Sequence, residues 1–159
     1  MAMMMIETRR FGRTEINPDS ILHFEEGLLG FEDLHRYAVI VSENTEPIQW
    51  LQAVDDPMIC LPVINPFIIK PDYELDVDDA ELHSLGMPTA DDVLVVNVVV
   101  IPDDIKAMTV NLCAPIIINL TNRKARQIIM EYGKRDSIRY PAFEGLVSYY
   151  QAMETKEGE

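Results

Sequence analysis

The stretch that decides the fold is residues 111–130, which read Asn-Leu-Cys-Ala-Pro-Ile-Ile-Ile-Asn-Leu-Thr-Asn-Arg-Lys-Ala-Arg-Gln-Ile-Ile-Met. Its first half, 111–119, is a short apolar run between two asparagines, which is typical of a β-strand. Residues 119–122 have the composition of a turn, and the run that follows opens with three basic side chains before it becomes apolar. The stretch therefore predicts two strands joined by one turn, with a change in charge between them.

Residues 93–101 form the most strongly β-type run of the chain, with valine, leucine and isoleucine around one polar residue. Left uncovered, such a run would promote aggregation, so we expect a central strand that is covered on both faces. We expect 111–119 to pair beside it and to lie mainly in the core, with Pro115 at a bulge or an edge. Asn111, Pro115 and Asn119 are therefore predicted to define the fold.

The rest of the chain contains many short strands, separated by turns at a spacing of roughly 8–12 residues. Strands are predicted at 3–10, 20–24, 37–41, 48–54, 58–64, 106–112 and 138–140. Loops are predicted at 11–19, 42–47 and 134–137, and helix at 31–36 (one turn), 78–86 and 142–153. Pro62 indicates an edge or a bulge in its strand.

This pattern predicts an all-β, mainly antiparallel fold that is barrel-like or sandwich-like, with one or two short helices. The length of 159 residues and the absence of a linker or repeat favour one domain over residues 1–159, with 1–3 and 154–159 frayed. Gly27 and Gly30 indicate a tight turn that needs glycine. With Phe31 beside that turn and Trp50, the only tryptophan, they are also predicted to define the fold.

The charge of the chain is strongly acidic, at −14, and it is unevenly distributed. Residues 1–120 carry 6 basic and 21 acidic side chains, whereas residues 121–140 carry 6 basic and 2 acidic ones. Because phosphate contacts require lysine and arginine, this balance argues against a nucleic acid or an anionic membrane as partner. It suits a basic partner, or it serves solubility alone.

The two cysteines, Cys60 and Cys113, lie in apolar runs without a metal-binding or redox pattern, as expected of buried thiols in a reducing compartment. No apolar run approaches the roughly 18–20 residues of a membrane span, and the first residues lack the pattern of a signal peptide. We therefore expect a cytoplasmic location.

Sequence motifs that would indicate catalysis are weak. His23, His35 and His83 accompany no nucleophile motif, zinc-ligand spacing or phosphate-binding loop, so no cofactor or metal is expected. Adjacent acids, at 25–26, 55–56, 78–79, 91–92 and 103–104, suit turns and helix starts. A small all-β hydrolase that uses a carboxylate pair remains the enzymatic alternative.

Partner binding is the remaining class of function, with three candidate surfaces. The first is the acidic segment, residues 72–81, which holds six acids and no base: Asp72, Glu74, Asp76, Asp78, Asp79 and Glu81. The second is the turn of Asp55 and Asp56, and the third is the basic start of a strand at Arg123, Lys124 and Arg126. The alternative interpretation of each surface is a solvated face, and a generic acidic protein-binding scaffold is a further alternative for the whole chain.

Several segments together resemble the flagellar assembly factor FliW family. They are Gly-Leu-Leu-Gly-Phe at 27–31, Trp-Leu-Gln at 50–52 with Asp-Asp-Pro at 55–57, residues 109–119, Arg-Gln-Ile-Ile at 126–129 and Ile-Arg-Tyr-Pro at 138–141. They occur in the order of the family and cover nearly the whole chain. Departures at Ala53, Cys113 and Ser137 remove no charge or glycine on which the resemblance depends.

The resemblance implies a small, β-barrel-like cytoplasmic protein without enzymatic activity. It implies binding to CsrA, a basic RNA-binding regulator, which relieves the repression of flagellin translation by CsrA. It also implies binding to flagellin, so that the two partners compete in a switching cycle that links flagellin secretion to flagellin synthesis.

Overall fold

The computed structural model describes residues 2–86, 88, 90–130 and 135–157. In this part of the chain the strands are β1 Met4–Thr8, β2 Gly12–Ile16, β3 Leu22–Phe24, β4 Arg36–Ile40, β5 Gln49–Ala53, β6 Cys60–Ile64, β7 Val93–Val100, β8 Thr109–Val110, β9 Ile116–Asn119, β10 Lys124–Gln127 and β11 Tyr140–Pro141. The α-helices are α1 Pro66–Ile69, α2 Asp79–Ser84, α3 Arg135–Ile138 and α4 Phe143–Glu157.

Seven strands close into a barrel in the order β7, β6, β5, β4, β3, β10, β9 and back to β7. Neighbouring strands run antiparallel, except that β3 and β10 are parallel. β8 and β11 extend the sheet beside β7, and β1 and β2 form a separate two-stranded sheet. The predicted all-β, mainly antiparallel and barrel-like fold is confirmed.

Along one edge, β7 pairs first with β9 and then with β8, and the residues between these two strands interrupt the pairing. Val99 pairs with Val110 of β8, and Val96 pairs with Ile116 of β9, so the two residues between them in β7 stand opposite five residues, 111–115. The extra residues form a turn, in which the side chain of Asn111 accepts a hydrogen bond from the backbone of Cys113 at 3.0 Å. The prediction of one strand over 111–119 is therefore wrong before residue 116, whereas its pairing with β7 is confirmed.

The broken segment lies in the core, as predicted. Leu112, Cys113 and Ala114 are buried, and Pro115 is buried just before β9. The backbone of this turn bonds to other parts of the chain, because the carbonyl oxygens of residues 113 and 115 accept from the N–H groups of residues 130 and 128 at 2.8 and 2.9 Å. Pro115, which has no N–H to donate, stands at the end of a strand rather than within it.

Side chains of the barrel strands alternate between two core clusters. Leu51 of β5 packs inside the barrel with Phe24 and Tyr37, whose ring centroids are 5.2 Å apart. Trp50, one residue away, belongs to a second cluster with Leu146 of α4. A Cβ placed on Gly145 would lie 3.0 Å from the Cα of Ile69, so this glycine allows α4 to approach α1.

Two predictions for the first third of the chain are wrong. The predicted loop at 11–19 contains β2, which forms a hairpin with β1 and begins at Gly12, where φ is +71°. The predicted helical turn at 31–36 is not helical. There the positive φ values of Gly27 and Gly30 turn the chain back, and the N–H of Phe31 donates to the carbonyl of Leu28 at 2.7 Å.

The end of the chain is more helical than predicted. α3 replaces most of the loop expected at 134–137 and extends to Ile138. The edge strand expected at 138–140 is therefore wrong before Tyr140, where β11 begins and pairs with β8. α4 confirms the C-terminal helix and continues through Glu157, whereas the fraying of residues 1–3 and 154–159 stays a prediction. Met1, Lys134 and residues 158–159 lie outside the described residues.

Among the described residues, no helix combines the length and hydropathy that crossing a membrane requires.

Candidate partner-binding surface

The acidic segment ends in the predicted short helix. Asp78 is the N-cap of α2 and accepts a hydrogen bond from the N–H of Glu81 at 3.1 Å. Asp79 and Glu81 lie in the first turn, where carboxylates favour the helix dipole. Gly86, with φ of +86°, follows the C-cap at Leu85. The prediction of a helix over 78–86 is confirmed, and it gives Asp78 a structural role besides its charge.

The 111–130 stretch holds the acidic segment on the barrel. The buried side chain of Tyr73 donates to the carbonyl of Leu112, and the N–H of Asp76 approaches the Sδ of Met130 at 3.2 Å. At the other end, the side chain of Asn119 donates to the carbonyl of Leu85 at 2.8 Å. The segment is thus fixed at its start and middle, and beyond its end at Leu85, to residues that follow by about 35 to 55 positions.

The carboxylates of the acidic segment are mostly free for a partner. Residues 72, 74, 76, 78 and 79 are exposed, and Glu81 is half-buried. Asp72 binds Lys70, with an Nζ–Oδ1 distance of 2.8 Å, and this hydrogen bond lowers the pKa of Asp72. Among the described residues, no other acid of the segment forms a salt bridge. The segment therefore presents negative charge that the fold does not neutralise.

A cleft of about 600 Å³ runs between the acidic segment and the 111–130 stretch. Its acidic side chains are those of residues 72, 74 and 76, and Leu75, Cys113 and Met130 add apolar surface. Burial raises the pKa of the Cys113 thiol, which is therefore a neutral apolar group here and not a reactive thiolate. The cleft combines a negative rim with an apolar lining, which suits a basic protein surface that carries an apolar side chain.

The end of the acidic segment meets the predicted basic strand start. Arg126 of β10 lies 3.3 Å from a carboxylate oxygen of Glu26 and donates to Ser84 of α2 at 3.2 Å. The pKa of Glu81 is raised, first by its partial burial and then by the carboxylate of Asp78, with Arg126 acting in the opposite direction. The structure thus brings the acidic and the basic candidates together, although they are more than 40 residues apart.

A second cleft, of about 450 Å³, lies at this junction and is lined by Lys124 and Arg126. His23 and His35 also line it, and the Nδ1 of His35 donates to the carbonyl of Phe24 at 2.8 Å. Arg123 lies at the turn before β10 with φ of +63°, and its carbonyl accepts from the N–H of His23 at 2.9 Å. Its position serves the turn geometry and the parallel pairing of β10 with β3.

The turn of Asp55 and Asp56 has local partners. Asp55 binds Arg36 through both carboxylate oxygens, and this raises the pKa of Arg36 and lowers the pKa of Asp55. Asp56 accepts from the N–H of Met58 at 3.0 Å. Both acids therefore stabilise the turn between β5 and β6. Their role in partner binding stays a prediction.

The residues predicted to define the fold have identifiable contacts. A Cβ on Gly27 would lie 2.7 Å from the backbone of Glu32, whereas Gly30 has open space around it and needs glycine for its φ of +89° alone. Phe31 packs against the core inside the barrel. Trp50 is buried, and its Nε1 donates to the hydroxyl of Thr45 at 3.0 Å.

Two side chains important to this architecture were not predicted as site residues. Gln127 accepts from the N–H of Leu29 at 2.8 Å and so fixes the glycine turn to β10. Asn97, fully buried in β7, donates to the carbonyl of Asn111 at 2.8 Å and braces the broken strand. The polar position in an otherwise apolar run was the only sequence signal for Asn97.

The described residues contain no group of three or more His, Cys, Asp and Glu side chains that could hold a metal ion. The adjacent acids lie at turns and caps: besides 55–56 and 78–79, Asp104 caps a short turn through the N–H of Lys106 at 3.1 Å.

A family model described as FliW protein matches residues 5–142. The chain belongs to the FliW family. It is 44% identical over 147 residues to the flagellar assembly factor FliW of Caldicellulosiruptor saccharolyticus, covering 92% of this chain and 95% of that protein. It is 42% identical over 149 residues to the protein of the same name from Thermoanaerobacter pseudethanolicus, covering 92% and 98%.

A solved structure, the crystal structure of the flagellar assembly factor FliW, superposes with a TM-score of 0.77 at 32% sequence identity. The match covers 82% of this chain and 92% of that chain. The resemblance proposed from the sequence is therefore confirmed for the family and for the fold. The acidic segment and its attachment to the barrel are therefore features of a protein of the FliW family.

Proposed function

We propose that this FliW protein acts in flagellum assembly as a non-enzymatic, cytoplasmic regulator of flagellin synthesis. In this proposal it binds CsrA and relieves the repression of flagellin translation, and it binds flagellin in competition with CsrA. Its relatives are named flagellar assembly factors, which supports the role in assembly. CsrA and flagellin as partners come from the family resemblance.

One observation carries the choice of the acidic segment as the CsrA surface. Its exposed carboxylates are held against the barrel beside a cleft with an apolar lining, and most of them form no salt bridge within the part of the chain that the structure describes. An RNA-binding regulator needs a basic surface, which such a rim would attract. Negative charge placed next to an RNA site would also repel the phosphate backbone. Binding and antagonism would thus follow from the same carboxylates.

The test is a titration of CsrA against the wild-type protein and the double variant Glu74→Gln/Asp76→Asn, by isothermal calorimetry in low salt. Loss of two rim charges should weaken binding by about fivefold to tenfold. The matched control, Glu43→Gln/Glu154→Gln, removes two exposed acids elsewhere and should leave the affinity unchanged. Equal effects of the two variants would contradict the assignment of the surface.

Competition completes the test of the partner-switching cycle. Flagellin added to the complex with CsrA should release CsrA, and failure of both proteins to bind at micromolar concentration would refute the proposed function. An unrelated basic protein such as lysozyme serves as the control for a generic acidic scaffold, because a specific regulator should not bind it under the same conditions.

The enzymatic alternative has less support. Most adjacent carboxylates are used for turns, caps and ion pairs, and the raised pKa of Glu81 has its origin in burial and in Asp78 at a helix start. Hydrolysis of test esters and glycosides by the purified protein, abolished by Glu81→Gln, would be the result that favours this alternative.

A further inference from the structure

Within the closed barrel, the backbone pairing between β6 and β7 is short. Backbone pairing joins these strands at Val63 with Val98 and at Ile64 with Asn97. β6 begins at Cys60, and β7 continues to Val100, where it pairs with β8 on its other side. Pro62, the next residue of β6, has no N–H to continue the ladder towards β7. Pro62 therefore behaves as an edge residue, as predicted, only on the side of β6 that faces β7.

A groove of about 610 Å³ lies where the two strands part, and we call it the seam groove. Two buried side chains line it, Trp50 and Val99, which are 4% and 2% exposed. Pro62, Val100 and Ile101 line it as well. Val100 is 60% exposed, so the expectation that the 93–101 run is covered on both faces is wrong at its C-terminal end.

The seam groove also carries positive charge. The guanidinium carbon of Arg10 lies 4.1 Å from the ring centroid of Trp50, which holds the cation against the groove. Arg9 and Arg10 together line an adjoining cleft of about 430 Å³, which shares Cys60 with the seam groove. None of the salt bridges in the described part of the chain involves either arginine.

The seam groove combines positive charge with exposed apolar side chains in an acidic molecule. The chain as a whole is acidic, with a net charge of −14, yet Arg10, which forms no salt bridge among the described residues, lines the groove together with the exposed Val100 and Ile101. An apolar occupant alone would leave the arginine at the groove without a counter-charge as water is displaced, which costs free energy. A carboxylate on the occupant would supply that counter-charge.

We propose that the seam groove docks an apolar peptide segment of a partner protein that carries a carboxylate next to its apolar side chains. The apolar side chains cover Val100, Ile101 and Pro62, and the carboxylate binds Arg10. This surface shares no lining residue with the cleft of the acidic segment. The proposal is therefore independent of the proposed function and stands or falls by its own experiment.

Trp50 provides the reporter, since it is the only tryptophan of the chain and lines the groove. The probes are two capped synthetic peptides of alternating leucine and threonine that differ at one central position, which is glutamate in one and lysine in the other. The glutamate peptide should change the emission of Trp50 saturably and bind at least about tenfold more tightly than the lysine peptide.

Variants of the full chain locate the site. Val100→Asp should weaken binding of the glutamate peptide about tenfold or more, because it places a charge in the apolar wall. The matched control is Ile129→Asp, at a residue that is 63% exposed and outside the lining of the groove, and it should bind like the wild type. Arg10→Gln, measured by calorimetry, should remove the preference for glutamate over lysine.

Three results would overturn the proposal. The first is the absence of a saturable change in Trp50 emission with the glutamate peptide, and the second is equal affinity for the two peptides. The third is equal binding by Val100→Asp and Ile129→Asp, with circular dichroism showing that both are folded. If Val100→Asp does not fold, the Arg10→Gln variant decides, because a retained preference for glutamate would exclude the arginine as its partner.

Discussion

At the scale of single residues, Asn119 connects the barrel with the candidate binding surface. Its side chain is 3% exposed and makes two hydrogen bonds. Its Nδ2 donates to the carbonyl of Leu85, and its Oδ1 accepts from the N–H of Thr121 at 2.9 Å. One amide therefore closes the turn after β9 and holds the end of α2. A residue read from the sequence as a fold determinant also positions the acidic segment.

Replacing this amide should destabilise the protein. Asn119→Ala removes one of the two side-chain donors to the carbonyl of Leu85 and the acceptor of the Thr121 N–H, and it should lower the free energy of unfolding by about 1–3 kcal/mol, measured by urea denaturation. Asn122→Ala is the matched control, because Asn122 donates to the same carbonyl at 3.1 Å from an exposed position and should cost less. A larger loss in the control would contradict this role of Asn119.

Tyr37 should make stability depend on alkaline pH. Burial, and then the carboxylate of Asp56, raise the pKa of Tyr37 to about 12. Because the folded state holds this proton more tightly than the unfolded chain, stability from this group is complete below about pH 10, the ordinary tyrosine value, and is lost as pH rises towards 12. The total loss corresponds to roughly 2–3 kcal/mol.

The measurement is urea unfolding of the wild type and of Tyr37→Phe between pH 8 and pH 11.5. The variant should lose less stability over this range than the wild type. The pKa of Lys70 is also raised, through its hydrogen bond to Asp72, so Lys70 titrates in the same direction. Its contribution is the same in both proteins and cancels in the difference between their free energies of unfolding. Parallel pH curves would show that Tyr37 does not control alkaline unfolding.

At the scale of elements, the local structure with its own sequence signals was predictable. α2 has an aspartate cap, acids in its first turn and a glycine after its end, so its bounds follow from neighbouring residues. β2 was missed because Gly12 and the polar residues after it read as a loop. β2 forms because it pairs with β1, and Ile6 of β1 and Ile16 of β2 belong to one small core cluster.

α4 should depend on a close approach that one glycine permits. Gly145→Leu would push its side chain into the backbone of Ile69, separate α4 from α1 and lower the free energy of unfolding by about 1–3 kcal/mol. Ser148→Leu, at an exposed position of the same helix, should change it by no more than about 0.5 kcal/mol. Urea denaturation followed by circular dichroism compares the two, and a neutral Gly145→Leu would refute this packing role.

At the scale of the whole molecule, the field of a chain with net charge −14 should govern association with a basic partner. Affinity for CsrA should fall as sodium chloride rises from 50 to 500 mM, because salt screens charges that are about a Debye length apart or more. Calorimetry at each salt concentration measures the effect. A flat response would exclude the acidic contribution, while membership of the FliW family would remain.

The sequence alone determined the class of fold, because short apolar runs, turns and caps act over a few residues and are visible in their order. It also pointed to the acidic segment and the basic strand start as separate candidates. The tertiary structure decided that residues 111–115 break the strand, that Asn119 holds α2, and that Arg126 meets Glu26. It also decided that β6 and β7 part at Pro62. These features depend on pairing registers and hydrogen bonds between residues far apart in the chain, which no local pattern contains.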